Sequence, residues 1–247
     1  MSAGASTDQS DVPETTHSAI QPAQQTAAKF VGFLYILTNI TAIIGFYLRG
    51  RLMVRGDAVQ TARNIVASGQ LLRMSIVAEL VTVAGVIVLV VGLYVVLRPI
   101  NRNVAFLAAF WRAAENIILA VIVLSEFAML ALLSGADYLR AVDPNQLQAL
   151  AYLLVRVYGD GFRVGFVFLG LGSATFSYLW FKSRYVPRAL AAWGIFSSSL
   201  LAGAELAIIA SPGLAGVLGF VYMAPMGIYE FGLGFWLLIR GIRAPSA

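Results

Sequence analysis

One apolar segment, residues 106–131, limits what this chain can fold into more than any other stretch. It is long enough to cross a bilayer as a helix, yet it carries Arg112, Glu115 and Glu126. A charge near the middle of a spanning helix costs at least ~2.5 kcal/mol on insertion scales, so these side chains should face other helices or a wet cavity. We therefore predict that this helix lies at the centre of a membrane bundle.

The charged residues of this segment are spaced so that they lie on one face of the helix. Glu115 and Glu126 are eleven residues apart, which is about three helical turns, and Arg112 precedes Glu115 by one turn. One side of the helix is therefore polar along its length.

Composition places the whole chain among membrane proteins. Hydrophobic residues make up 60% and charged residues 12%, and the mean hydropathy is +0.82. The net charge of +5 does not indicate nucleic-acid binding, because the arginines sit at the ends of apolar runs and form no single basic face. We interpret them as anchors in the lipid bilayer.

The absence of two residue types excludes several kinds of site. The chain has no cysteine, which removes disulfides, thiol catalysis and thiolate metal sites. The one histidine, His17, lies near the N-terminus and outside every apolar segment. Haem ligation, histidine-based zinc or copper sites and a Ser-His-Asp triad are therefore hard to build. The sequence predicts no cofactor and no metal, and it argues against an enzyme.

The chain divides into two polar tails and one membrane domain. Residues 1–28 are rich in Ser, Thr, Gln, Ala and Pro, which predicts a disordered tail, and they lack the basic start of a signal peptide. Residues 244–247 form a short C-terminal tail. We expect the domain between them, 29–243, to be an all-α bundle of six transmembrane helices. The predicted spans are 30–48, 71–97, 106–131, 162–181, 189–210 and 215–239.

A short interfacial helix is predicted after the first span. Asp57 is a typical N-cap, and apolar residues follow it at helical spacing. The arginines of this region are Arg49, Arg51, Arg55, Arg63 and Arg73. They fit two interpretations, contact with lipid phosphates or a solvated helix face.

Two further features concern the course of the later helices. Asp143 and Pro144 mark a strong helix start, and we expect that helix to reach Tyr158 and a kink to follow at residues 159–161, before the fourth span. Pro225 is expected to bend the sixth span.

Lys and Arg in the loops predict the orientation of the bundle. Six spans place both ends of the domain on one side, and the distribution of Lys and Arg predicts that both termini are cytoplasmic. We expect the protein in a plasma or inner membrane.

Five stretches resemble a known family in order and spacing. They are residues 97–102 (LRPINR), 110–115 (FWRAAE), 133–139 (LSGADYL), 143–150 (DPNQLQAL) and 185–188 (YVPR). Over roughly residues 28–243 the chain resembles the membrane-protein family catalogued as domain of unknown function 4386. The resemblance implies a polytopic helical fold with no assigned activity, so it carries no functional residues across.

The candidate site consists of the charged side chains predicted inside the bundle. These are Glu79, Glu115, Glu126, Glu205 and Glu230, with Arg112 and Arg163. Five carboxylates cannot all stay ionised beside two cations in a low-dielectric interior, so some must be protonated or must hold a cation or a cationic ligand. Depth along the spans predicts one cluster of Arg112 with Glu115 and Glu230, and a second of Arg163 with Glu79, Glu126 or Glu205.

Several functions are compatible with these buried charges. They can be structural pairs that lock the bundle, or they can serve small-solute or proton-coupled transport. The alternative from another class is a non-catalytic protein that binds a lipid ligand or a partner. The sequence carries no signal for an oligomeric state.

Overall fold

The structure, a computed structural model, describes residues 22–243. Every regular element in this range is helical. The helices are α1 (Pro22–Gly50), α2 (Ala58–Ala67), α3 (Gly69–Leu97), α4 (Arg102–Leu132), α5 (Pro144–Ser183), α6 (Arg188–Ala210), α7 (Leu214–Leu218) and α8 (Ala224–Arg240). Short 3-10 turns occupy Asp137–Leu139 and Val221–Met223. Residues 1–21, which include His17, and the predicted C-terminal tail lie outside the described residues.

Six segments are long and apolar enough to cross a membrane. They are α1, α3, α4, α5, α6 and the stretch Val221–Arg240, which joins the second 3-10 turn to α8. The predicted all-α bundle of six spans is thereby confirmed. Each spanning helix packs on the next one in the chain, and α8 packs on both α6 and α1. The six spans therefore form a closed ring.

Helix α2 follows the first span as predicted. The Asp57 carboxylate caps it by accepting a hydrogen bond of 2.8 Å from the Gln60 backbone N–H. Its Ala62 and Ile65 are buried against the rest of the protein, whereas Val66 is 65% exposed. The helix therefore packs one face on the bundle and leaves the other free.

The predicted disordered tail is wrong where the structure describes it, because residues 22–28 form the first turns of α1. Alanine and glutamine, which fill most of this stretch, are good helix formers. Gln24 Nε2 donates to the Val96 carbonyl oxygen (3.0 Å), and Gln25 Oε1 accepts from the Ile242 backbone N–H (3.0 Å). These contacts pin the start of α1 to the ends of α3 and α8.

The predicted kink before the fourth span does not interrupt the helix, since α5 runs unbroken from Pro144 to Ser183. Its start is as expected, with Asp143 Oδ1 accepting from the Asn145 backbone N–H at 2.8 Å. Gly161 faces Ile122 of α4 so closely that a Cβ would collide with it. This glycine therefore allows close helix packing and does not break the helix.

The sixth span is interrupted, but not at Pro225 as predicted. Gly219, after the short α7, has a positive φ of 54°, which is the left-handed region that glycine tolerates best. Pro225 lies in the first turn of α8, where its missing N–H costs no helical hydrogen bond. The predicted bend is wrong because this proline begins a helix.

Helices α1 and α8 touch through their backbones at Gly32. A Cβ there would lie 2.7 Å from the Gly234 carbonyl oxygen and 3.0 Å from the Leu237 carbonyl carbon. We expect Gly32→Ala to lower the free energy of unfolding by about 1–3 kcal/mol, because backbone atoms cannot move aside as a side chain can. Unfolding in mixed micelles of mild detergent and SDS would measure this loss.

Gly227→Ala in α8 is the matched control, since a Cβ there meets nothing within 4 Å. It should leave stability unchanged or slightly raised, because alanine favours a helix over glycine by roughly 0.8–1.0 kcal/mol. Equal stability of the two variants would show that α1 and α8 are not in such close contact.

Candidate functional site

The largest charge cluster is centred on Arg49, in the last turn of α1. Its Nη2 donates to Glu79 Oε2 on α3, and its Nε donates to Glu126 Oε1 on α4. Its guanidinium carbon lies 3.9 Å from the centre of the Tyr158 ring on α5. The Tyr158 hydroxyl in turn donates to Glu79 Oε1 at 2.7 Å. One arginine therefore joins four helices.

A second cluster links α5 to α6. Arg163 Nη1 lies 3.3 Å from Glu205 Oε2, and the Tyr222 hydroxyl donates to Glu205 Oε1 at 2.8 Å. Glu205 itself is fully buried. Because both of its oxygens have partners, this carboxylate is satisfied within the protein.

The third cluster lies within α4. This helix packs on α3 and α5 as one member of the ring, so the prediction that it lies at the centre of the bundle is wrong. Arg112 Nη1 is 3.1 Å from Glu115 Oε2, an ion pair between residues one turn apart. That carboxylate oxygen nevertheless forms no hydrogen bond, so the contact is a charge pair with poor hydrogen-bond alignment. The Arg112 side chain crosses Gly172 of α5, where a Cβ would lie only 2.7 Å from its Cγ. Glycine at this position makes room for the arginine.

An inner cavity of about 160 Å³ lies between α1, α3, α4, α5 and α8. Its polar lining includes Asn39, Arg49, Glu79, Glu115 and Glu230. The cavity therefore extends from the Arg49 cluster to the two carboxylates near the middle of the bundle.

An outer cavity of about 250 Å³ adjoins the inner one. Phe46, Arg49, Tyr158 and Phe162 line both cavities. The Arg163–Glu205 cluster also borders the outer cavity. These four shared side chains form a partition between the two spaces, and we call them the partition below.

The predicted pairing is confirmed in part. Arg112 pairs with Glu115, and Arg163 pairs with Glu205, one of its three expected partners. Glu230 lines the same cavity as Glu115, but within residues 22–243 it has no cation closer than 4.0 Å. In the predicted cluster of Arg112, Glu115 and Glu230, the direct ion pair of Arg112 is therefore with Glu115, and Glu230 lines the cavity beside them.

Glu79 and Glu126 bind Arg49, which the sequence analysis had placed among the arginines that contact lipid or water. A signal for this pairing was present in the sequence. Arg49 lies nineteen residues from the inner end of the first span, which corresponds to a depth of about 28 Å. The same count along the second span gives a depth of roughly 27 Å for Glu79. The shortage of cations among the predicted buried charges also pointed to a missing arginine.

With Arg49 included, the three clusters and Glu230 still contain two more carboxylates than arginines. Within the described part of the chain, Glu115 Oε2 and Glu126 Oε2 are buried and lack hydrogen bonds. A low-dielectric interior favours a proton or another positive partner at such oxygens. Residues 22–243 contain no group of three or more Asp, Glu, His or Cys placed to hold a metal ion.

Comparison with known proteins gives one match. No curated protein and no solved structure matches the chain. The model of one protein family matches residues 30–241, a range that takes in all six predicted spans and all three charge clusters. By this match the chain belongs to the family described as Domain of unknown function (DUF4386).

Proposed function

We propose that the protein transports a small solute across the membrane and that proton or cation binding at Glu115 and Glu230 drives or accompanies the transport. The observation that carries this proposal is the inner cavity, where two carboxylates face a space within the membrane bundle. Intramembrane carboxylates are costly to keep, and in transporters they mark ion and proton pathways.

The charge balance at this cavity supports binding of a positive charge. Glu115 is only 3% exposed, and its Oε2 accepts no hydrogen bond from any described residue. Arg112 lies against Glu115 but forms no close ion pair with Glu230. Neutralising the Glu230 carboxylate therefore requires a proton or a cation from outside the protein.

The shape of the bundle supports access from one side. The outer cavity adjoins the inner one at the partition. Toward the other end of the spans, large side chains such as Leu97, Trp180 and Leu237 are fully buried and fill the centre of the bundle. Transport by alternating access requires such an arrangement, with one end open and the other closed around a fixed site.

We further propose that both ends of the chain are cytoplasmic, in a plasma or inner membrane, so that the outer cavity faces the opposite side. The short loops at the closed end and the helix ends beside them carry Arg98, Arg102, Lys182, Arg184 and Arg188. Cytoplasmic loops of membrane proteins are enriched in Lys and Arg.

Flux through reconstituted vesicles tests the transport proposal. We expect vesicles with the wild-type protein to acidify, or to take up a monovalent or organic cation, when a gradient is applied. Glu230→Gln and Glu115→Gln should reduce this flux by roughly tenfold or more, because both remove a negative charge that the pathway needs. A pH-sensitive dye inside the vesicles would report proton movement, and radiolabelled cations would report uptake of a monovalent or organic cation.

Asp137→Asn is the control for this experiment, because Asp137 lies on the surface with its side chain 85% exposed. Its flux should equal that of the wild type. If wild-type vesicles move neither protons nor cations above the level of empty vesicles, the transport proposal is refuted.

The alternative proposal, binding of a lipid without transport, is favoured by one observation. The outer cavity is larger than the inner one, and its lining combines apolar Met53, Phe220 and Met223 with the exposed Arg55. Such a lining suits an acyl chain with an anionic headgroup. Native mass spectrometry of the purified protein would detect a retained lipid, and its retention without flux would favour this alternative.

A further inference from the structure

The inner cavity combines carboxylates with a row of aromatic rings. From this combination we propose that its ligand is a small organic ammonium ion. The inference rests on the proposed function, because it names the class of solute that the same cavity would bind.

The charges of the lining select a cation over an anion. Among the described residues that line the cavity, the basic side chain is Arg49, and its guanidinium is already held by Glu79 and Glu126. The other end of the cavity presents Glu115 and Glu230. Arg112 already pairs with Glu115, whereas Glu230 has no ion pair among residues 22–243, so a positive charge in the cavity would compensate the Glu230 carboxylate.

Three aromatic residues of α5 form one wall of the cavity. Tyr158, Phe162 and Phe166 are four residues apart, so they lie above one another on the same helix face. Their ring centres are 6.3 Å apart for the first pair and 4.0 Å for the second. Tyr158 already holds a cation over its ring, the Arg49 guanidinium. Phe162 and Phe166 cover one face of each other at this distance, so a cation in the cavity would contact the ring faces that this stacking leaves open.

The size of the cavity and its donor set narrow the class of cation. A cavity of about 150 Å³ holds one benzene molecule, so a space of 160 Å³ suits a ligand of about six non-hydrogen atoms. The lining supplies no cluster of three metal-ligating side chains among the described residues. Aromatic rings with one or two carboxylates are the surroundings in which proteins recognise quaternary ammonium groups.

Binding to the full-length protein in lipid nanodiscs tests this inference. The probes are choline, tetramethylammonium, tetrapropylammonium and 3,3-dimethylbutan-1-ol, which has the shape of choline without its charge. We expect choline and tetramethylammonium to bind. The neutral alcohol should bind at least about tenfold more weakly because it loses both the ion pair and the cation–π contact. Tetrapropylammonium should bind more weakly than tetramethylammonium, because its propyl chains exceed the volume of the inner cavity.

Variants locate the site. Glu230→Gln and Phe166→Leu should each weaken choline binding by about tenfold or more, whereas Phe166→Tyr should preserve it because a ring remains. The control is Phe196→Leu on α6, whose ring is 55% exposed and lies outside both cavities. Thermal unfolding of each variant would separate a lost ligand site from a lost fold.

The outcomes distinguish this inference from the transport proposal. Choline binding equal to that of the neutral alcohol, absence of choline binding, or insensitivity to Phe166→Leu would each overturn the ammonium site. Glu230-dependent proton flux in vesicles reconstituted from the same purified protein would show that transport holds without it.

Discussion

Replacing Arg49 with alanine should destabilise the protein more than removal of any other arginine near the ends of the spans. The change leaves Glu79 and Glu126 without their cation, and Glu126 is fully buried. Removing one partner of a buried ion pair costs about 3–5 kcal/mol, because the remaining charge has no compensation. The expected result is a loss of this size in the free energy of unfolding, measured by SDS titration in mixed micelles.

Two further variants separate the charge effect from loss of side-chain packing. Arg51→Ala removes an exposed arginine two residues along the chain. Arg51 donates a hydrogen bond to the Tyr47 hydroxyl, and its guanidinium lies over the Tyr47 ring. The loss in the free energy of unfolding should therefore stay below about 1 kcal/mol. The triple variant Arg49→Ala, Glu79→Gln, Glu126→Gln should recover much of the lost stability. If Arg49→Ala and Arg51→Ala unfold alike, the Arg49 cluster is not formed in the membrane.

Arg112→Met should have an effect of similar size through a different cluster. The substitution keeps an unbranched stem of comparable shape beside Gly172, but it removes the positive charge next to Glu115. Glu115 and Glu230 then face one cavity with no arginine paired to either of them. We expect a loss of about 3–5 kcal/mol in the free energy of unfolding.

Arg112→Lys and a double variant test the cause. Lysine keeps the charge and should cost less than methionine, although it cannot reproduce the planar guanidinium that also reaches Ser173. Arg112→Met combined with Glu115→Gln should be more stable than Arg112→Met alone. If the double variant were the less stable one, charge pairing would not explain the requirement for Arg112.

The helices were predictable because their signals are local. Hydropathy over about twenty residues finds a span, and caps such as Asp57 and Asp143 mark where helices begin. Two features of the later helices were not predictable from local signals. Gly161 lies within the unbroken α5 and packs against Ile122 of α4. Pro225 lies in the first turn of α8, because the chain is interrupted before it at Gly219.

The charge pairs were predictable where the spacing along one helix, or the depth of two residues in the membrane, was enough to identify both partners. Arg112 and Glu115 are one turn apart in one helix, so their pairing follows from helical geometry alone. Arg49 stands at the end of its span, where an arginine ordinarily extends to the lipid headgroups. The depth count places Arg49 level with Glu79, but the inward direction of its side chain depends on Glu79 and Glu126 from two other helices.

The closed ring of helices has a consequence for biosynthesis. Arg112 and Glu115 neutralise each other as soon as α4 forms, because both belong to that helix. Arg49 is made before both of its carboxylates, and Arg163 is made before Glu205. Each of these two arginines must stay hydrated or sheltered until a later helix arrives. Since α8 both brings Glu230 and closes the ring onto α1, the newly made chain completes its polar interior only when its last helix enters the membrane.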